Sequence, residues 1–127
     1  MKKRFLTSLG VLTFIISAFA AKPALAAGDD LGNAANNYQL YCSMCHGRDG
    51  DGKGQLAETL EVPPRNHTDA AYMSKRTDEQ LFKTISEGGE ATGFNSAMPA
   101  HKTILHEDEI HGMVKYLRQL CNCKHTS

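Results

Sequence analysis

Tyr41-Cys42-Ser43-Met44-Cys45-His46 sets two thiols three positions apart, with an imidazole directly after the second. On a helical turn this spacing lets each thiol add to one vinyl group of the same haem, and it turns the next side chain toward the iron. The attachment reading makes Cys42 and Cys45 covalent haem-binding residues, His46 the proximal ligand, and one haem c the cofactor. Three rival readings apply to the same residues. A thioredoxin-like redox pair also uses Cys-x-x-Cys, but it needs a strand before the motif and a helix after it. Here a helical pattern precedes the motif and a glycine-rich loop follows. A zinc site would draw on Cys121 and Cys123, whose Cys-x-Cys spacing, far downstream, is poor for a zinc module. The third rival is a chance match.

Upstream, Met1-Lys2-Lys3-Arg4 is a short basic segment, Phe5 to Ala21 is apolar with scattered Ser, Thr and Gly, and Ala24-Leu25-Ala26 offers small residues at both positions a signal peptidase reads. This predicts a leader over 1–26, cleaved after Ala26, and an exported, periplasmic domain over 27–127. The alternative is an uncleaved anchor, although the apolar run falls short of the roughly 20 residues a span needs. Membrane association is expected only if the leader stays in place.

The chain has 14 Lys and Arg against 14 Asp and Glu, but Lys2, Lys3, Arg4 and Lys22 leave with the leader and no acid does. The remaining domain has a formal charge of −4, and haem propionates would make it more acidic. Such a domain has no electrostatic reason to bind nucleic acid or anionic lipid, and it can be steered toward a basic patch on a partner. It contains no tryptophan, and small domains with modest cores lean on metals, disulfides or cofactors for stability.

Ala27 to Gly32 reads as a loose start. Asn33 to Tyr41 reads as a helix with Ala34, Tyr38 and Tyr41 near one face. Gly47-Arg48-Asp49-Gly50-Asp51-Gly52-Lys53-Gly54 is a loop. No strand pattern precedes it, so it is no phosphate cradle, and no Glu closes it as a calcium loop. It is expected to wrap a haem edge. Pro63-Pro64 forces extended backbone. A short helix is expected over Asp69 to Met73. Thr77 and Gln80 form a capping box opening a helix that Gly88-Gly89 ends, with Leu81, Phe82 and Ile85 on its apolar face. Gly93 to Ala100 is irregular. Glu107-Asp108-Glu109 suits a helix N-terminus, and Ile110, Met113, Val114, Leu117 and Leu120 continue it at helical spacing.

With these parts in order, the chain resembles a class I c-type cytochrome of the small bacterial type. The resemblance rests on Tyr38 four residues before Cys42, the attachment motif, the glycine-rich loop, Pro63-Pro64-Arg65-Asn66, Met98-Pro99, and Tyr116-Leu117 in the last helix. The early motif and late Met-Pro select class I, since a four-helix-bundle cytochrome carries its motif near the C-terminus. The resemblance implies an all-α cytochrome c fold, about four short helices wrapped around one covalently bound haem. It implies first and last helices that cross near right angles, with Ala34 and Tyr38 meeting Tyr116 and Leu117. It also implies that a carbonyl near Pro63 or Pro64 accepts the free ring N–H of His46.

Met98 is the expected distal ligand, because a thioether on a non-helical loop braced by Pro99 can be held against iron. His/Met ligation suits electron transfer. His101 is the strongest histidine rival, and a thiolate from the C-terminus is another. Met73 and Met113 read as packing, Met44 as outward-facing, and His67, His106, His111 and His125 as surface or capping residues. Cys121 and Cys123 are expected in a disulfide of some kind. Ser43-Met44, Ala97, Met98 and Ala100 are expected near the exposed haem edge. The function that follows is a periplasmic carrier of single electrons between redox proteins, with no catalysis of its own. The alternatives are a haem subunit of a periplasmic oxidoreductase complex and a gas-binding haem sensor with a displaceable distal ligand.

Overall fold

A computed structural model describes residues 30–126. The leader expected over 1–26 and its cleavage after Ala26 lie outside the described residues. These contain five α-helices and no strand: α1 (Asp30–Tyr41), α2 (Ser43–His46), α3 (Ala70–Met73), α4 (Asp78–Glu87) and α5 (Glu107–Leu120), with 3-10 turns at Ala57–Thr59 and Glu90–Thr92. The helix beyond the expected four is α2, the turn that carries the attachment motif. Helix α1 starts at Asp30 rather than Asn33.

Both α1 and α4 pack chiefly on α5. Ala34 and Tyr38 of α1 are buried in one core with Ile110, Met113, Val114 and Leu117 of α5. The rings of Tyr38 and Tyr116 lie 5.3 Å apart, so the expected meeting of Tyr38 with Tyr116 is present. Asn37 Nδ2 donates to Glu109 Oε1 at 3.1 Å while Glu109 Oε2 accepts the His106 N–H at 2.8 Å, which ties the start of α5 to α1. At the other end of α5, Arg118 donates to Asp78 Oδ1 (2.8 Å), to the Met73 carbonyl (2.7 Å) and to the Arg76 carbonyl. One guanidinium thus closes the turn between α3 and α4.

The cap of α4 forms as the sequence predicts. Thr77 Oγ1 accepts the Gln80 N–H and Gln80 Oε1 accepts the Thr77 N–H, both at 3.0 Å. Thr77→Ala removes one acceptor, costs about 1 kcal/mol and is expected to lower the Tm by roughly 4–8 °C. A thermal melt followed by circular dichroism checks it, and an unchanged Tm contradicts it.

Gly88 ends α4 with φ +83°, and a side chain there would come within 2.9 Å of the Ala100 backbone nitrogen. That close approach matters because three backbone bonds stitch the Met98 segment to the end of α4: Gly89 N–H to Met98 O (2.9 Å), His101 N–H to Ile85 O (3.0 Å) and Lys102 N–H to Ser86 O (3.2 Å). Among the described residues no helix is long and apolar enough to cross a membrane.

Candidate functional site

A cavity of about 500 Å3 is lined from all five helices and from residues 60–67 and 91–101. Leu60, Val62, Ile85, Phe94, Met113 and Leu117 give it apolar walls, and its volume is that of a cofactor site. Val62, Phe94 and Ala97 line it and are also exposed, so the cavity reaches the surface.

Cys42, Cys45 and His46 enter this cavity from one turn. Both thiols are free. Burial, with a smaller contribution from Cys45, pushes the Cys42 thiol up to about 12. The motif follows a helix rather than the strand that a thioredoxin-like pair requires, which removes that reading. The zinc reading has no ligand set, since no three His, Cys, Asp or Glu side chains converge among the described residues.

His46 Nδ1 lies 2.9 Å from the Arg65 carbonyl. A carbonyl only accepts, so Nδ1 carries the proton and Nε2 keeps its lone pair for a metal. The acceptor expected near Pro63 or Pro64 is the carbonyl of Arg65, the residue directly after them. The two prolines hold the chain extended, and the first residue past them presents its oxygen. Burial holds the His46 pKa below the ordinary value, with the Arg65 carbonyl opposing the shift.

Met98 and His101 both line the cavity. Met98 is half-buried, while His101 is 4% exposed with Nδ1 3.3 Å from the Ile85 carbonyl. His101 thus anchors the segment that carries Met98. Met73 and Met113 are core residues, each 1% exposed, and they also form cavity wall. Met44 is exposed as expected, but neither it nor Ser43 lines the cavity.

Two further expectations are corrected. None of residues 47–54 lines the cavity. The loop instead backs the segment after Pro64, through Gly50 O accepting the His67 N–H at 2.6 Å. His67 is half-buried and turned inward rather than lying on the surface. Its ring stacks on His46 at 4.1 Å, its Nδ1 lies 3.0 Å from Tyr38 Oη, and burial depresses its pKa to about 3. No residue-type signal marks it, because only the folding of segment 65–67 against the Gly50 turn carries it inward. His106, His111 and His125 are exposed, as expected.

Cys121 and Cys123 form a disulfide within the chain. Neither lines the cavity. Cys121→Ser with Cys123→Ser is expected to leave the visible spectrum unchanged while burying an extra hydroxyl at position 121, at a cost of about 1–3 kcal/mol. Visible spectra and melts of the purified variant check this, and an altered spectrum contradicts it.

The donor set fits haem c: two free thiols at attachment spacing, an imidazole with Nε2 available, a thioether in the same cavity, and apolar walls. A family model described as cytochrome c oxidase, cbb3-type, subunit III matches residues 29–117. The chain belongs to this family and is a class I c-type cytochrome. Membership implies haem c as its cofactor and an electron-carrying role, with redox proteins as partners. Among solved structures, the KustC0563 c-type cytochrome is 29% identical with a TM-score of 0.56, over 68% of this chain and 95% of that one. The Kuenenia stuttgartiensis reducing HAO-like protein complex Kustc0457/Kustc0458 matches at 28% and 0.56, over 69% of this chain and 41% of that one. Cytochrome cL from Hyphomicrobium denitrificans matches at 31% and 0.52, over 70% of this chain and 46% of that one. The cytochrome thus spans nearly all of the first relative and under half of each of the other two.

Proposed function

We propose that this cytochrome is exported and carries single electrons between periplasmic redox proteins. One haem c is held covalently by Cys42 and Cys45 and ligated by His46 and Met98. The observation that carries this reading is the convergence of these four side chains on one apolar cavity, with His46 Nδ1 tied to Arg65 O. When bound, the haem supplies a one-electron Fe(III)/Fe(II) couple.

The chain's own residues set the terms of that couple. The Arg65 carbonyl fixes the tautomer of His46 and strengthens it as a donor. The stitching of residues 98–102 to α4 holds the thioether in place. His46 and Met98 would both be taken up in holding the haem, which would then supply electron exchange and leave no side chain of the site over for binding a substrate at the metal. Val62, Phe94 and Ala97 are exposed around the mouth of the cavity, where small and apolar side chains permit close approach and the small, transient interface suited to electron exchange. Export is supported by the leader pattern and by the Cys121–Cys123 disulfide, which fits an oxidising compartment.

The likeness to one chain of the reducing HAO-like complex favours a second reading, a fixed haem subunit of an oxidoreductase. One preparation tests both. The protein is purified from a host that matures c-type cytochromes and weighed under denaturing conditions. The expected mass is that of residues 27–127 plus one haem, and the expected behaviour is that of a monomer with reversible one-electron voltammetry. Bare polypeptide overturns the site, and obligate co-purification with a catalytic partner replaces the free carrier with the subunit.

A further inference from the structure

We infer that His67 is a positioning residue for the proximal ligand, whose ring, stacked on His46 and tethered to Tyr38, fixes the plane of the His46 imidazole. This deepens the reading above and rests on His46 as the proximal ligand. The Arg65 hydrogen bond restrains His46 at a single atom, 2.9 Å away. One such bond sets the tautomer but still lets the ring rock about the bond axis. The ring of His67 supplies the second restraint. Its centroid is 4.1 Å from that of His46 and the two planes differ by 19°, so it covers one face of the ligand. Arg65 and His67 belong to one short segment. That segment therefore grips His46 twice, by a carbonyl at the edge of the ring and by an imidazole on its face.

His67 is itself held in place. Its backbone N–H donates to Gly50 O at 2.6 Å, and its Nδ1 pairs with Tyr38 Oη at 3.0 Å. Tyr38 is fully buried on α1, four residues before Cys42. A buried phenol needs a partner, and His67 provides it. Gly50 has φ +79°, and a side chain there would approach Tyr38 Oη at 3.3 Å and His67 Cβ at 3.4 Å, so the loop turn, the tyrosine and the histidine pack as one unit. The line of contact runs from α1 through Tyr38 and His67 to His46. Residues that orient a ligand tune its metal, with typical effects of 10–100-fold.

The test uses holoprotein and four variants. His67→Leu keeps volume but loses the planar face. His67→Phe keeps the face but loses the tether. Tyr38→Phe keeps the face and frees it. His46→Gly tests the ligand itself. The readouts are the hyperfine-shifted haem methyl resonances of the oxidised protein, which follow the orientation of the ligand plane, and the reduction potential. A purely structural role would change only the Tm. The expected result for His67→Leu is a rearranged methyl pattern and a lower potential, by about a tenfold change in the oxidised-to-reduced ratio or 59 mV. His67→Phe restores most of the wild-type pattern, and Tyr38→Phe shifts it in the same sense as His67→Leu but less. The inference is overturned if His67→Leu leaves pattern and potential unchanged, or if His67→Phe disturbs them as much as His67→Leu. Should His67→Leu fail to accumulate as holoprotein, a wild-type pattern in Tyr38→Phe overturns it equally. Retention of the wild-type low-spin spectrum by His46→Gly would instead end the underlying reading of the site.

Discussion

Cys42→Ser combined with Cys45→Ser is expected to give a colourless polypeptide that no longer unfolds cooperatively. Serine keeps the size of the side chain but forms no thioether, so the covalent link is lost. The consequence for folding comes from the cavity. Ile85, Met73, Met113 and Leu117 belong both to the buried core and to the wall of a space of about 500 Å3. Without the cofactor these walls lose the apolar group they pack against and face water instead, at about 25 cal/mol per Å2 of apolar surface left exposed, a serious loss for a small domain whose entire stability is about 5–15 kcal/mol. The walls should therefore collapse, retaining part of α1 and α5 but losing fixed packing. The check is a thermal melt by near- and far-ultraviolet circular dichroism, with the wild-type holoprotein alongside. A sharp, two-state melt of the colourless variant would show that α1, α4 and α5 form a sufficient core without the cofactor, contrary to this argument.

The elements that were legible in the sequence share a property: each is specified by residues close together in the chain. The Thr77–Gln80 box, the Gly88 stop, the acidic start of α5 and the spacing of Cys42, Cys45 and His46 are local patterns, and each has a counterpart in the folded chain. The pairing of Ala34 and Tyr38 with α5 is long-range. It was foreseeable only because the order of motifs resembles a known family. What stayed hidden depends on contacts that no spacing encodes. Arg65 becomes the acceptor for His46 because Pro63-Pro64 sets where the chain turns, and proline patterns fix backbone direction without naming the carbonyl that results. His67 lies in a polar run, Asn66-His67-Thr68-Asp69, that reads as surface. Its backbone bond to Gly50 and its side-chain bond to Tyr38, both distant in sequence, carry its ring onto His46. The glycine-rich loop misled in the same way, because its composition reports turns and says nothing about what the turns pack against.

Met98→Ala is expected to keep the covalent cofactor, lower the reduction potential and open the metal to carbon monoxide in the reduced state. Attachment survives because Cys42, Cys45 and His46 belong to the turn after α1, a separate stretch of chain from the stitched segment that carries Met98. The potential falls because a thioether favours Fe(II), and its loss admits water, which favours Fe(III). Each tenfold loss of that preference lowers the potential by about 59 mV. Truncating a half-buried methionine also costs packing, on the order of 2 kcal/mol, so a lower Tm accompanies the change and does not count against it. His101→Phe is the discriminating companion. His101 lines the same cavity, with Nδ1 beside Ile85 O. If it served only to anchor the segment, the variant keeps the long-wavelength charge-transfer band of methionine-ligated Fe(III) and a potential near the wild-type value. If His101 were the ligand, the two variants would exchange behaviour: Met98→Ala would hold its potential and exclude carbon monoxide, and His101→Phe would lose both properties. Voltammetry and carbon monoxide difference spectra of the two variants, taken side by side, decide between a thioether and an imidazole on the distal side.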